Sequence, residues 1–309
     1  MTECGRHVLR RDDRLYPRFL SEVPDAPERL YVWGDPAVLS TPCLAVIGSR
    51  KATPYGIAAA QLVATCAAES GVSVVSGGAI GCDQAAGHAA LRAGGMHIAV
   101  LGCGADVVYP KSSAALLSRC AESGGAVVTL DPWGPPPRRY AFPRRNRVIA
   151  GLSRAVCIVE AALPSGTFST AEAAMDYGRE VLAVPGSIWS PCSRGSNRLI
   201  ADGACGLVDE ESIEVAVSRI FGTLRFQRVV PGEPANIGKR ELAVLDALIA
   251  NPMRAESVAA SLKASPLEAL TVLSSMQASG LVERLPDGAF AASARTLHAR
   301  SAIMHNVGS

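Results

Sequence analysis

Arginine gathers at one place in this 309-residue chain. The stretch FPRRNRVIAGLS, residues 142–153, has three arginines in four positions, and Arg138, Arg139 and Arg154 flank it. Between Arg138 and Arg154 there are six arginines and no acid. A guanidinium is a planar fork that suits phosphate oxygens and bases alike, so the run predicts an anion site. The formal net charge of the whole chain is only +2, and without these six it would be negative. The basic character is therefore local. That disfavours a protein that coats anions with its entire surface and points to one anionic partner at one place. Phe142 stands among these cations. An aromatic face beside a basic groove predicts a platform on which bases stack.

Five further segments share a chemistry of small residues at the ends of apolar runs. GSRKATPYG (48–56) brings Ser49, Arg50 and Lys51, and SGGAIGCD (76–83) brings Gly78 and Gly81. GCGADVVYP (102–110) is the third. EAALPSGTFSTAEA (160–173) places Ser165, Gly166 and Thr167 ahead of a helix, and PGSIWSPCSRGSNRLI (185–200) closes the set. Small residues let backbone approach a ligand, and helix starts offer free N–H groups, so together these loops predict a phosphate-binding crest. The arginine segment reads as one more loop of that crest. GxGxxG and GxxxxGK[ST] are absent, so a dinucleotide cofactor and ATP hydrolysis are not indicated. No Cys/His cluster with ligand spacing supports a metal, and no cofactor is expected. His88 reads as a packed or capping histidine.

Strands must carry these loops. LAVIGS (44–49), VSVVSGGAIG (72–81), HIAVLGCG (97–104), AVVTL (126–130), AVCIVEA (155–161) and VLAVPGS (181–187) are continuous apolar runs separated by helical stretches. Continuous rather than alternating runs are the pattern of parallel strands buried on both faces. A Rossmann-like, doubly wound, mostly parallel α/β domain is predicted over 41–222, with ligands at the C-terminal strand ends. Residues 1–40 read as an N-terminal arm, 223–237 as a linker and 294–309 as a loose tail. Three helical patterns and a hairpin around Pro286, Asp287 and Gly288 predict a small C-terminal winged-helix-like domain over 238–293. Its third helix, PLEALTVLSSMQASG, has no Lys or Arg, which predicts packing or partner docking rather than major-groove reading.

Hydrophobic content of 49% and charged content of 19% describe a globular chain. Nine cysteines, an odd number without a C-x-x-C pair, predict a reduced, cytoplasmic protein without structural zinc. No apolar run approaches the roughly 20 residues that cross a bilayer, so no membrane insertion is expected. MTECGRHVLRRDDR lacks the apolar stretch of a secretory signal.

Read in order, VIGSRKATPYG, VVSGGAIGCDQAAGHAAL, VLGCGADVVYP, FPRRNRVIAGLS, SGTFSTAEAAMDYGREVLAVPG and SRGSNRLIADGA resemble the DNA processing protein A family (DprA, or Smf). The resemblance covers about residues 15–208. It implies a Rossmann-like domain that binds single-stranded DNA in a basic pocket, protects incoming DNA during natural transformation or recombination, and helps load the RecA recombinase. It also implies a homodimer and no catalysis. Carried over by motif, the DNA contacts are Ser49, Arg50, Gly78, Gly81, Arg139, Phe142 and Arg144, Arg145, Asn146 and Arg147. The crest loops add Lys51, Ser165, Gly166 and Thr167. The sequence departs from the family pattern in lacking an N-terminal SAM-type stretch, in Gly87 between Ala86 and His88, and in Glu172. One alternative is an enzyme. SGTFSTAE also resembles, in part, the PGGxGTxxE motif of nucleoside-monophosphate phosphoribohydrolases, with Thr170 and Glu172 on its Thr and Glu.

Overall fold

The structure is a computed structural model and describes residues 5–225 and 238–297. The chain divides into two compact units, Met1–Ala52 with Ala59–Arg228 and Thr53–Ala58 with Val229–Ser309.

The α/β unit opens with β1 (Arg6–Arg10), a one-turn helix α1 (Arg18–Ser21) and β2 (Arg29–Gly34). A regular alternation follows: β3 (Cys43–Ile47), α2 (Pro54–Glu69), β4 (Ser73–Ser76), α3 (Cys82–Arg92), β5 (His97–Leu101), α4 (Ala114–Glu122) and β6 (Ala126–Thr129). Then come α5 (Ala141–Leu152), β7 (Ala155–Ile158), α6 (Phe168–Asp176), β8 (Glu180–Ala183), α7 (Arg194–Ala201), β9 (Cys205–Gly206) and α8 (Glu210–Phe221). All nine strands form one sheet in the order β1-β2-β6-β5-β4-β3-β7-β8-β9. From β6 to β9 every pairing is parallel, whereas β1–β2 and β2–β6 are antiparallel. The predicted mostly parallel, doubly wound class is what the chain adopts. Every residue of β3 to β7 is buried, which is why their sequences run apolar without alternation.

The described residues of this segment, 5–40, do not stand apart as an arm. β1 and β2 extend the sheet at one edge, and Leu9, Leu30 and Val32 enter the main core. The charged residues of β1 stand on its exposed side, and they hide the strand pattern in the sequence.

The arginine segment is a helix rather than a loop. Val148, Ile149 and Leu152 of α5 join Val75, Ile98 and Val100 of the central strands in one core. Burying each such side chain contributes about 1.5–3 kcal/mol, enough to set the helix orientation. Pro143 lies in the first turn, where a missing N–H costs nothing. Because crossover helices return against the strand direction, α5 puts its N-terminus, and Phe142 with it, at the C-terminal edge of the sheet.

Arg225, expected in a linker, belongs to the α/β unit. Its guanidinium is buried and paired with Glu69, Glu210 and Glu214. Cys66, Glu210 and Glu214 are the group of possible metal ligands among the described residues, and Arg225 sits against those carboxylates. The remaining expected linker, 226–237, lies outside the described residues. The eight described cysteines are free thiols.

The second unit holds α9 (Lys239–Ala250), α10 (Ala255–Leu262), α11 (Pro266–Ala278) and an antiparallel pair, β10 (Val282–Arg284) and β11 (Phe290–Ala292). Leu245, Val258, Leu273 and Phe290 form its core. Ser265 and Glu268 cap α11 reciprocally: each backbone N–H donates to the other's side chain, at 2.8 Å and 3.3 Å. Part of the expected tail is ordered on this core. Thr296 is buried, and its hydroxyl donates to the Leu281 carbonyl at 2.9 Å. Residues 298–309 lie outside the described set.

Candidate nucleic-acid interface

Strand order reverses between β3 and β7, since β4 to β6 lie on one side of β3 and β7 to β9 on the other. Open α/β sheets bind ligands in the crevice outside the strand ends near such a reversal. Here the crevice is built from the ends of β3, β4 and β5 and the first turn of α5.

Asp83, in the first turn of α3, holds two of these strand ends together. Its carboxylate is buried and accepts the Gly77 N–H at 2.9 Å and the Gly48 N–H at 3.3 Å. Burial pushes this carboxyl up, against the opposing pull of Arg145 and the backbone N–H groups. Two glycines make the closeness possible. At Gly81, with φ +91°, a Cβ would lie 2.3 Å from the Ser49 carbonyl oxygen. At Gly77 a Cβ would lie 1.4 Å from Nη1 of Arg145. The glycine loop is therefore shaped around an arginine.

That arginine is only 5% exposed. Its Nη1 donates to the Val100 carbonyl at 3.2 Å, while its buried Nε has no hydrogen-bond partner among the described residues. Burial pushes the guanidinium down, and the Asp83 charge works against that. Arg50 reaches in from the β3 loop and is exposed. The half-buried Phe142 ring is close to both, 5.2 Å from the Arg50 guanidinium and 5.9 Å from that of Arg145. Tyr109 stands beside it, with ring centres 6.3 Å apart. Arg50, Gly77, Ile80, Tyr109, Phe142 and Arg145 line a cleft of about 60 Å³. Cations over an aromatic face, above a floor of backbone, match a phosphate and a base together.

The opposite face of α5 is different. Successive helix residues turn by about 100°, so 142 and 145 share one face and 144, 147 and 148 another. Arg144 and Arg147 line a second cleft, of about 140 Å³, with Leu20, Asp25 and Tyr177. Arg147 pairs with Asp25 and Asp176, and its guanidinium lies 5.0 Å from the Tyr177 ring centre. Burial alone would raise the Asp25 carboxyl, yet the hydrogen bonds from Arg147 and Tyr177 hold it below the usual range. The run without acids in sequence thus meets acids from elsewhere in space.

The other expected residues fall between these cases. Asn146 points a third way: its amide donates to Ser169 Oγ at 2.7 Å and to the Gly166 carbonyl at 3.4 Å, tying α5 to the loop before α6. Ser165 donates to Thr167 Oγ1 at 2.9 Å within that loop. Ser49 Oγ accepts the Lys51 N–H at 3.1 Å, and Lys51 and Arg139 are exposed. Gly78 is buried at φ +64°. The cleft brings together Arg50, Phe142 and Arg145 over the glycine loop. It does not include Arg147 or Asn146. Two participants were not foreseen. Tyr109 ends the GCGADVVYP loop, where its aromatic side chain among small residues is the available signal. Asp83 has one as well: an acid directly after a glycine loop, at a helix start.

A mostly parallel sheet with a cationic, aromatic cleft beside its switch point defines a protein of the Rossmann-type fold class. Residues 7–218 match the family model described as DNA recombination-mediator protein A, and the chain belongs to that family. Protein Smf of Escherichia coli is 42% identical over 213 residues, 69% of this chain and 57% of that protein. DNA processing protein DprA of Streptococcus pneumoniae is 43% identical over 194 residues, 62% of this chain and 67% of that one. The X-ray structure of the S. pneumoniae protein superposes with a TM-score of 0.64 at 39% identity, covering 68% of this chain and 74% of that chain. A Helicobacter pylori DNA processing protein A structure, titled for its single-stranded DNA binding mode, gives a TM-score of 0.63 at 29% identity, covering 70% and 97%. The match to the E. coli protein spans little more than half of its length.

The family model describes a recombination mediator, and the S. pneumoniae relative is named a DNA processing protein; neither description is that of an enzyme of nucleoside-monophosphate cleavage. The enzyme alternative has no geometric support either. Thr170 is buried whereas Glu172, two residues along α6, is exposed on another face. Among the described residues, no helix is long and apolar enough to cross a membrane.

Proposed function

We propose that this chain binds single-stranded DNA without sequence preference in the cleft around Phe142. One observation carries the reading: an aromatic ring within about 6 Å of two guanidinium groups, one exposed and one buried with an N–H left unpartnered, at the C-terminal edge of the sheet beside its switch point. Arg50 takes a phosphate, the Phe142 face takes a base, and the buried Arg145 adds charge and holds the glycine loop. Lys51 and Arg139 extend the positive rim. Ser165, Gly166 and Thr167 continue it toward β7. Gly78 and Gly81 offer backbone at close range.

Family membership supports the wider role: a homodimer that shields incoming or recombining strands and hands them to the RecA recombinase. The unit from 238 to 297 is read as winged-helix-like. Its α11 has exposed Leu267 and Leu270 and no basic residue, which suits a protein contact better than a DNA groove.

The test is a titration with single-stranded and double-stranded oligonucleotides at two salt concentrations. Tight single-strand binding that weakens with salt is expected, with log K falling by about 0.7 per phosphate contact per decade of salt. Equal affinity for duplex, or no dependence on Arg50, would overturn the assignment.

A further inference from the structure

A second aromatic stands on the same edge of the sheet, away from the cleft. Trp189 is 80% exposed and Ile188 beside it 75%. Aromatics make up only 5% of this chain, and Trp33 and Trp133 are at least partly buried. An indole left in water is an unfavourable arrangement unless something covers it.

The loop that presents Trp189 is held rigidly. Asn197 of α7 clamps its base, accepting the Gly186 N–H at 3.0 Å and donating to the Gly186 carbonyl at 2.9 Å. The tip turns on the Ser190 N–H to the Ser187 carbonyl, and the Trp189 N–H donates to Ser187 Oγ at 3.3 Å. At Gly186 a Cβ would lie 2.1 Å from Ser193 Oγ, so the base packs closely against the start of α7. The ring is displayed, not trailing.

Its surroundings favour a polyanion. Arg194, the first residue of α7, is exposed and makes no ion pair among the described residues, whereas Arg198 one turn later pairs with Asp202. The loop leaves the C-terminal end of β8, three strands from β4 in the sheet. At about 4.8 Å per strand that is about 14 Å. A stacked strand rises about 3.4 Å per nucleotide, so about four steps bridge the gap. The exposed Gly166 of the loop before α6 stands between, at the end of β7.

We propose that Trp189 is a second stacking platform, with Arg194 as its phosphate partner, for the same single strand some four nucleotides beyond Phe142. The inference rests on the assignment of the Phe142 cleft to single-stranded DNA. It predicts a length dependence that the cleft alone does not give. A strand of about four nucleotides has three steps and falls short of Trp189, while one of about twelve reaches it.

The test uses the full chain and oligothymidylates of about four and about twelve nucleotides. Trp189 supplies the water-exposed part of the tryptophan emission. The longer strand should quench that part and the shorter should not. Trp189→Ala should weaken the longer strand by roughly tenfold and leave the shorter unchanged. Trp189→Phe should keep most of the affinity, and Trp189→Leu, apolar but unable to stack, should behave like the alanine variant. Arg50→Ala should weaken both lengths. Unchanged affinity of Trp189→Ala for the longer strand, with Arg50→Ala still impaired, would overturn the second platform and leave the cleft standing. A Trp189→Ala protein that sediments as a smaller species with unchanged affinity would overturn it too, by assigning the tip to contact between copies. Failure of the unsubstituted protein to bind either length would overturn both assignments.

Discussion

Arg145 and Arg147 lie two residues apart on α5 and live in opposite surroundings. Arg145 is buried under the glycine loop beside a buried carboxylate. Arg147 is 40% exposed and held by two surface acids, Asp25 and Asp176. The same residue type at almost the same place in sequence is scaffold in one case and surface ion pair in the other. Cationic charge free for a ligand comes instead from Arg50, on a different loop. A helix divides a cluster of like charges among its faces, so counting arginines in a row measures composition and not a site.

Breaking the buried side should have the largest effect. Arg145→Ala removes the cation nearest the buried Asp83 and is expected to lower unfolding free energy by about 3–5 kcal/mol. Urea denaturation followed by circular dichroism reads this directly. A loss below about 1 kcal/mol would mean that Asp83 is content with its backbone partners.

Next in size is the ring beside Arg50 and Arg145. Phe142→Ala should weaken single-strand binding by about 1–3 kcal/mol, the value of one stacked base, with little change in the salt dependence. Affinity by fluorescence anisotropy at several salt concentrations separates the two quantities. A large change in slope would recast Phe142 as a prop for Arg50.

Arg50 and Arg147 then make a matched pair of surface substitutions. Arg50→Ala should flatten the slope of log K against log salt by about 0.7, the mark of one lost phosphate contact. Arg147→Ala should leave both slope and affinity within twofold, because its charge is already answered by acids. Equal effects from the two would show that the strand also visits the far face of α5.

The smallest expected effect is one of acidity. Asp25 is held below its ordinary value in the folded protein, so its contribution is present above the unfolded value near pH 3.9 and is lost as pH falls through the folded one. Arg147→Ala should therefore cost less than about 1 kcal/mol at neutral pH, as exposed pairs do, and less still once Asp25 is protonated, when the Asp176 and Tyr177 contacts remain. Thermal melts of both proteins from neutral pH down to about pH 2 check the convergence.

Legibility in the sequence follows burial. Strands buried on both faces, such as Leu44 to Ile47, announce themselves as unbroken apolar runs. The edge strand Arg6–Arg10 does not, since one face meets water and its charges mask the period. The placement of the small-residue loops at the C-terminal strand ends is legible because several loops follow one rule. The inner architecture of the cleft is not. Asp25 meets Arg147 across 122 positions, and Arg145 reaches the Val100 carbonyl across 45, so no local window contains either fact. The turn of α5 was concealed by Pro143 and the charges around it, although the spacing of Val148, Ile149 and Leu152 carries it.

The contact between Gly77 and Arg145 also bears on how such chains vary over time. A missing methyl group and a long side chain occupy one volume, and neither position is free to drift alone. A descendant that gains a side chain at 77 must re-seat the Arg145 guanidinium, give it up or move its helix. The two positions should therefore change together across related sequences, a linked inheritance written by one approach of 1.4 Å.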